Sequence, residues 1–218
     1  MTAKKRLAFV NCPFDSSFKR CFEAIIFTCY ACGVEPVTAL SNDGMQPLRF
    51  DALCELIRRA DFGIHDLSRT ESDGPGRPRF NMPFELGLFM GAKVYGSGAN
   101  RLKRAVVLVR EKYVLGAYLS DMAGIDPVAH GDNPRDVIRL VRDALNTWML
   151  AGRKGKGPKG KAVPGPEYIA KKFDEFQTML PNLAESKGFL GSDLNVLDAH
   201  VDYCVAVDEF VSIMDLSY

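Results

Sequence analysis

The chain has 218 residues, a length that suits one main core plus an appendage, and with 47% hydrophobic and 25% charged residues it has the make-up of a globular protein. Its 28 basic and 27 acidic side chains leave a formal charge of +1, so there is no global attraction for nucleic acid or for an anionic membrane. No uncharged apolar run approaches the ~18 residues of a membrane span, and Lys4-Lys5-Arg6 leads only into the short run Leu7–Val10, which reads as a strand rather than a secretory signal; a cytoplasmic protein is expected.

The first element, "RLAFVN" at 6–11, reads as a buried strand. Ser17–Cys32 then places Phe18, Cys21, Phe22, Ile25, Ile26 and Cys29 at helical spacing, and Gly33 supplies a stop. "VEPVTAL" is a weaker second strand, followed by an amphipathic helix over Leu48–Arg59. "DFGIHDL" from Asp61 is a third strand. A helix follows in "NMPFELGLFMGAK", where Asn81 suits the N-cap, Pro83 is tolerated in the first turn and Glu85 is the single carboxylate among apolar neighbours. Near the helix start the macrodipole favours that charge, and Gly87 and Gly91, four apart, permit close approach of another backbone.

"RAVVLVR" from Arg104 is a near-continuous apolar strand, and a fifth strand precedes His130 in "DPVAHGDNP". The next helix starts at "NPRD", with Asn133 as N-cap, Pro134 at the first helical position and Asp136 in the first turn; Val137, Ile138, Val141, Leu145 and Trp148 keep its period. Strands alternating with helices predict an α/β fold with an open parallel sheet, flavodoxin-like or Rossmann-like, with helices on both faces, because parallel neighbours need long crossovers. Residues 1–151 are read as this domain and 152–166, with five basic residues among glycines and prolines, as a flexible linker. Residues 167–218 are read as a helical hairpin whose stripes are Ile169, Phe173, Phe176, Leu180 and, on a longer second helix, Leu194, Leu197, Val201, Cys204, Val211, Met214. That hairpin can bury its stripe on its own chain, on a second copy as a homo-oligomer, or on a partner protein.

Ligands of open parallel sheets bind beyond the carboxyl ends of the strands. Asn11, Pro13 and Phe14 after the first strand, Asp66 and Ser68 after the third, and Asn81 and Glu85 at the helix start are therefore expected at one edge. A carboxylate there suits chemistry in which an anomeric carbon becomes oxocarbenium-like, by stabilising or attacking it, while Asp66 could hold sugar hydroxyls. The same Glu85 equally suits a dipole-complementing role. Arg69, Arg77 and Arg79 are candidates for a phosphate, and His130 for contact with a base. His65, alternating with Asp66, is expected to pack in the core, and His200 is read as structural. Three scattered histidines and six cysteines without paired spacing predict no metal site and free thiols; in "CYAC", Cys29 and Cys32 read as buried on one helix face. Ser68 and Ser120 lack a base and an orienting acid for serine hydrolysis.

"LAFVNCPFD", "ADFGIHDLS" and "NMPFELGLFMGAK" together resemble the nucleoside 2-deoxyribosyltransferase-like family and the wider TIR-related nucleotide N-glycosidase folds, over roughly residues 6–110. The resemblance implies a hydrolase or transferase acting on a nucleoside, nucleotide or NAD without a cofactor. It puts Glu85 as nucleophile, Asp66 as the group that positions the sugar, and Asn11, Pro13 and Phe14 beside sugar or base. Similar domains serve as effectors in bacterial antiviral defence, fused or partnered with other modules. A nucleotide-binding sensor that keeps the fold without turnover is the alternative.

Overall fold

The computed structural model describes residues 5–41, 49–70, 79–112, 126–151, 163–190 and 192–214. The basic stretch 152–162, Arg77 and Ser120 lie outside them. Two compact units emerge, a sheet unit of residues 1–14 and 35–133 and a helical unit of residues 15–34 and 134–218. Among the described residues no helix is long and apolar enough to cross a membrane.

The sheet unit is built on five parallel strands: β1 (Arg6–Asn11), β2 (Val34–Val37), β3 (Phe62–Asp66), β4 (Arg104–Val109) and β5 (Val128–Ala129), in the order β2-β1-β3-β4-β5. Near-continuous apolar runs produce such strands because both sides of a parallel strand are buried. β2 stops at Val37, short of "TAL", because Thr38 captures local partners: its Oγ1 accepts from Leu40 N–H at 3.0 Å and its own N–H donates to Ser41 Oγ at 3.1 Å. Register is explicit at the centre, with Asn11 beside His65 and Asp66 beside Leu108.

Helices α2 (Arg49–Arg59) and α3 (Asn81–Tyr95) belong to this unit. Leu7 and Phe9 of β1, Leu56, Ile57 and Ala60 at the end of α2, and Phe89 of α3 form one apolar cluster. Leu67, Met82, Leu86, Val107 and Val109 form another. Met82, Leu86 and Phe89 recur at helical spacing, so α3 lies with this stripe on the side of the sheet shared by Phe9, Leu67 and Val107. Asn81 does not cap α3. Phe80 holds that position with φ −88° and ψ −11°, already helical, so Asn81 is the first helical residue and no side chain caps the end. Gly87 and Gly91 do not mediate close packing among the described residues either: a Cβ built on each meets none of them within 4 Å.

In the helical unit, α1 (Lys19–Ala31) is followed by Gly33 at φ +72°, a left-handed stop that glycine adopts without strain. Before it, the Asp15 carboxylate accepts from Ser17 Oγ and Phe18 N–H and holds the chain in a turn, so the helix starts at Lys19 rather than Ser17. α4 (Pro134–Ala151), α5 (Pro166–Ser186) and α6 (His200–Ile213) complete the unit. The stripe of α5 is used internally: the rings of Phe173 and Phe176 pack tilted at 5.5 and 5.7 Å from Phe27 of α1, and Phe210 of α6 lies 5.3 Å from Phe176. The last helix is shorter than its apolar pattern suggests. Asn195 builds a side-chain turn, accepting from Leu197 and Asp198 N–H and donating to Ser192 O, which holds Leu194 and Leu197 outside α6.

Candidate active site

With the order β2-β1-β3-β4-β5, the chain leaves β1 toward one edge and returns to β3 on the other side. The loops after β1 and β3 therefore diverge, and the crevice between them is where ligands of such sheets bind. Asn11 ends β1 and Asp66 ends β3.

Neighbours along a strand point to opposite sides, and residues in parallel register point to the same side. Asn11 stands beside His65, so these two share one face and Asp66 turns to the other. Two polar clusters result, one on each face of the same sheet edge.

On the α3 face, the Asn11 amide nitrogen donates to Met82 O at 2.8 Å and to His65 Nδ1 at 3.1 Å. Both amide hydrogens are thereby committed, and Oδ1 is the remaining polar atom of this buried side chain. The first bond ties the opening turn of α3 to the end of β1. His65 is buried between the rings of Phe9 (5.9 Å) and Phe89 (5.1 Å). Nδ1 accepts from Asn11, which places the ring proton on Nε2, and that atom has no hydrogen-bond partner among the described residues. Burial drives the His65 pKa down from 6.5 to about 3. The expected packing role of His65 holds, with the added task of orienting Asn11.

On the opposite face, Asp66 is fully buried and each of its oxygens has a partner. Oδ1 accepts from Ser68 N–H at 2.9 Å, and Oδ2 lies 2.9 Å from His130 Nε2. Ser68 Oγ is 3.1 Å from the same nitrogen. His130 Nδ1 accepts from Asp132 N–H at 3.0 Å, so the proton sits on Nε2 and points to Asp66. A tight turn makes this geometry: Gly131 and Asp132 both take the left-handed region, at φ +58° and +55°. His130 is reached by Asp66 because β5 adds next to β4 and brings its following loop to the shared edge.

Glu85 is the fifth residue of α3, half-buried, one turn past the start where the dipole acts most strongly. It follows Met82, whose carbonyl accepts from Asn11, by three residues. Pro13 is buried and Phe14 half-buried after β1; Arg79 and Asn81 are exposed just ahead of Glu85, and Arg79 N–H bonds Arg69 O at 3.0 Å. Among the described residues no group of three or more His, Cys, Asp or Glu side chains gathers to hold a metal.

No family model matches the chain, and neither a curated protein nor a solved structure matches it significantly.

The edge thus carries a buried amide with one uncommitted acceptor atom (Asn11), a half-buried carboxylate (Glu85) on a helix tied to β1, and a buried Asp66–His130–Ser68 cluster. Two partnerships escaped the sequence reading: His65 with Asn11, and His130 with Asp66. The first was accessible from register alone, since the last residue of β1 and the penultimate residue of β3 pair directly. The second needed the place of β5 in the sheet.

Proposed function

We propose that this protein cleaves or transfers at the N-glycosidic bond of a nucleoside or nucleotide, with Glu85 as nucleophile. The observation that carries the reading is the bond from Asn11 to Met82 O, which holds the helix bearing Glu85 rigidly against the ligand-binding end of β1. The likeness of the "FELG" helix to the nucleoside 2-deoxyribosyltransferase-like family supports the same assignment.

In this reaction a Glu85 oxygen attacks the anomeric carbon as its bond to the base nitrogen breaks. The base leaves with the bonding electron pair and takes up a proton. The glycosyl ester is then opened by water, or by the nitrogen of a second base, which loses a proton as it bonds the anomeric carbon, offsetting the one taken up by the departing base, and returns the free carboxylate. Asn11 Oδ1 accepts a sugar hydroxyl on the same side. Asp66, buried and held by His130 and Ser68, acts as a positioning residue that shapes the loop after β3. NAD, whose nicotinamide is also joined to a sugar through nitrogen, is an alternative substrate, and action as an antiviral effector is compatible with that chemistry.

The test is release of free base from deoxynucleosides, deoxynucleotides and NAD. Glu85→Gln keeps size and removes the nucleophile; release is expected to fall about a thousandfold or more, ~4 kcal/mol of barrier. Equal release by the two proteins sinks the assignment. A second reading, a nucleotide-binding module without turnover, is favoured by the complete burial of the Asp66 carboxylate. It predicts binding that survives Glu85→Gln and no product from either protein.

A further inference from the structure

The helical unit contains a cleft of about 390 Å³ between the start of α1, residues 177–181 of α5 and the segment 192–195. Its size falls within the range of small-molecule sites. Glu23 lines it, yet the Glu23 side chain is only 5% exposed. A carboxylate taken out of water needs a close cation or several donors. Glu23 has little of either. Arg20 Nη1 stands 3.5 Å from its Oε2, at the limit of a hydrogen bond, and the same guanidinium lies 4.5 Å over the Phe173 ring and 4.0 Å from Asp174. Gln177, beside it in the cleft, also donates to the buried Tyr203 hydroxyl at 3.1 Å. Desolvation outweighs the pull of Lys19, Arg20 and Gln177, and the Glu23 carboxyl is raised above its ordinary value.

The cleft therefore pairs an under-compensated buried acid with two cations, Lys19 and Arg20, along the same wall. A ligand that brings its own charged donor to Glu23 supplies what the protein withholds, and a negative group on that ligand finds the two cations. We propose that this cleft binds a small zwitterion, its ammonium on Glu23 and its carboxylate on Lys19 and Arg20. The proposal does not depend on the Glu85 chemistry.

The experiment is a titration of the full chain, isotopically labelled for amide NMR, with β-alanine, ethylamine and propionate. β-Alanine is expected to shift amides of residues 19–23, 177–181 and 192–195 saturably, and ethylamine to shift them with at least about fivefold weaker affinity, the loss of one charge-assisted contact. Glu23→Gln is expected to weaken β-alanine at least about tenfold. Lys19→Ala, a change at the rim that leaves the packed stripe of α1 intact, is expected to weaken β-alanine while leaving ethylamine unchanged, and it decides the matter if the Glu23 variant fails to fold. Absence of a saturable shift, equal binding of ethylamine and β-alanine, or β-alanine binding indifferent to Lys19→Ala overturns the proposal.

Discussion

His65 shows how much one buried side chain sets. Its ring is held unprotonated to about pH 3 by burial, whereas in the unfolded chain it takes a proton below its ordinary 6.5. The unfolded state therefore binds the extra proton between those values, and stability is lost as pH falls from about 6.5 toward 3, by roughly 1.4 kcal/mol per pH unit from this residue. His200, also pushed down by burial, adds in the same direction. Glu23 opposes them, since a raised carboxyl takes its proton more readily in the folded state. Urea midpoints measured from pH 7 to pH 5 should fall, and His65→Phe, which fits between two phenyl rings, should flatten that slope. An unchanged slope would remove His65 as its source. Gly63 makes room for the same ring. A Cβ there would stand 2.5 Å from His65 Nε2 and 3.0 Å from Phe89 Cε1, both in buried rings, so Gly63→Ala should cost about 1–3 kcal/mol in chemical denaturation.

At the scale of elements, the most consequential contact is one that no pattern announces. Lys103, just before β4, is 2% exposed, and its Nζ donates to Ile57 O at 2.7 Å, to Arg58 O at 3.3 Å and to Ala60 O. These are the last carbonyls of α2 and the residue after it, so the ammonium does the work of a C-cap and meets the negative end of the helix dipole. Lys103→Met keeps the stem but leaves buried carbonyls unpaired, and should lower unfolding free energy by about 3 kcal/mol with loss of amide protection in the last turn of α2. Wild-type stability in the Met variant would show that water replaces the ammonium. In sequence Lys103 reads as an ordinary solvated cation, because its acceptors lie more than 40 residues away. The apolar runs of β1, β3 and β4 and the period of α4 were legible for the opposite reason: alternation and helical spacing are local consequences of burial. Asn81 is not the cap because a cap residue must itself stand outside the helical backbone, and the chain is already helical at Phe80, which puts Asn81 inside α3.

At the scale of the molecule, the C-terminal helices bury their stripe within the chain. Phe27 of α1 is fully buried and in ring contact with Phe173, Phe176 and Phe210 of α5 and α6. Deleting residues 163–218 would strip those rings from α1 and expose an aromatic face, so the truncated chain should aggregate or melt far below the full chain, read by light scattering and thermal unfolding. A soluble truncated chain with unchanged melting would contradict this packing. The class of the fold, the placing of β1, β3, β4 and α4, the stop at Gly33 and the placing of Asn11 and Asp66 at one sheet edge were all determined by the sequence itself, since each follows from local periodicity, turn chemistry or strand direction. Only the tertiary structure decided that Asn11 and Asp66 face opposite sides of that edge, that His65 orients the first and His130 holds the second, and that α5 and α6 close on α1. Those outcomes depend on strand order, register and the sum of contacts between residues far apart in the chain, quantities that no single stretch of sequence contains.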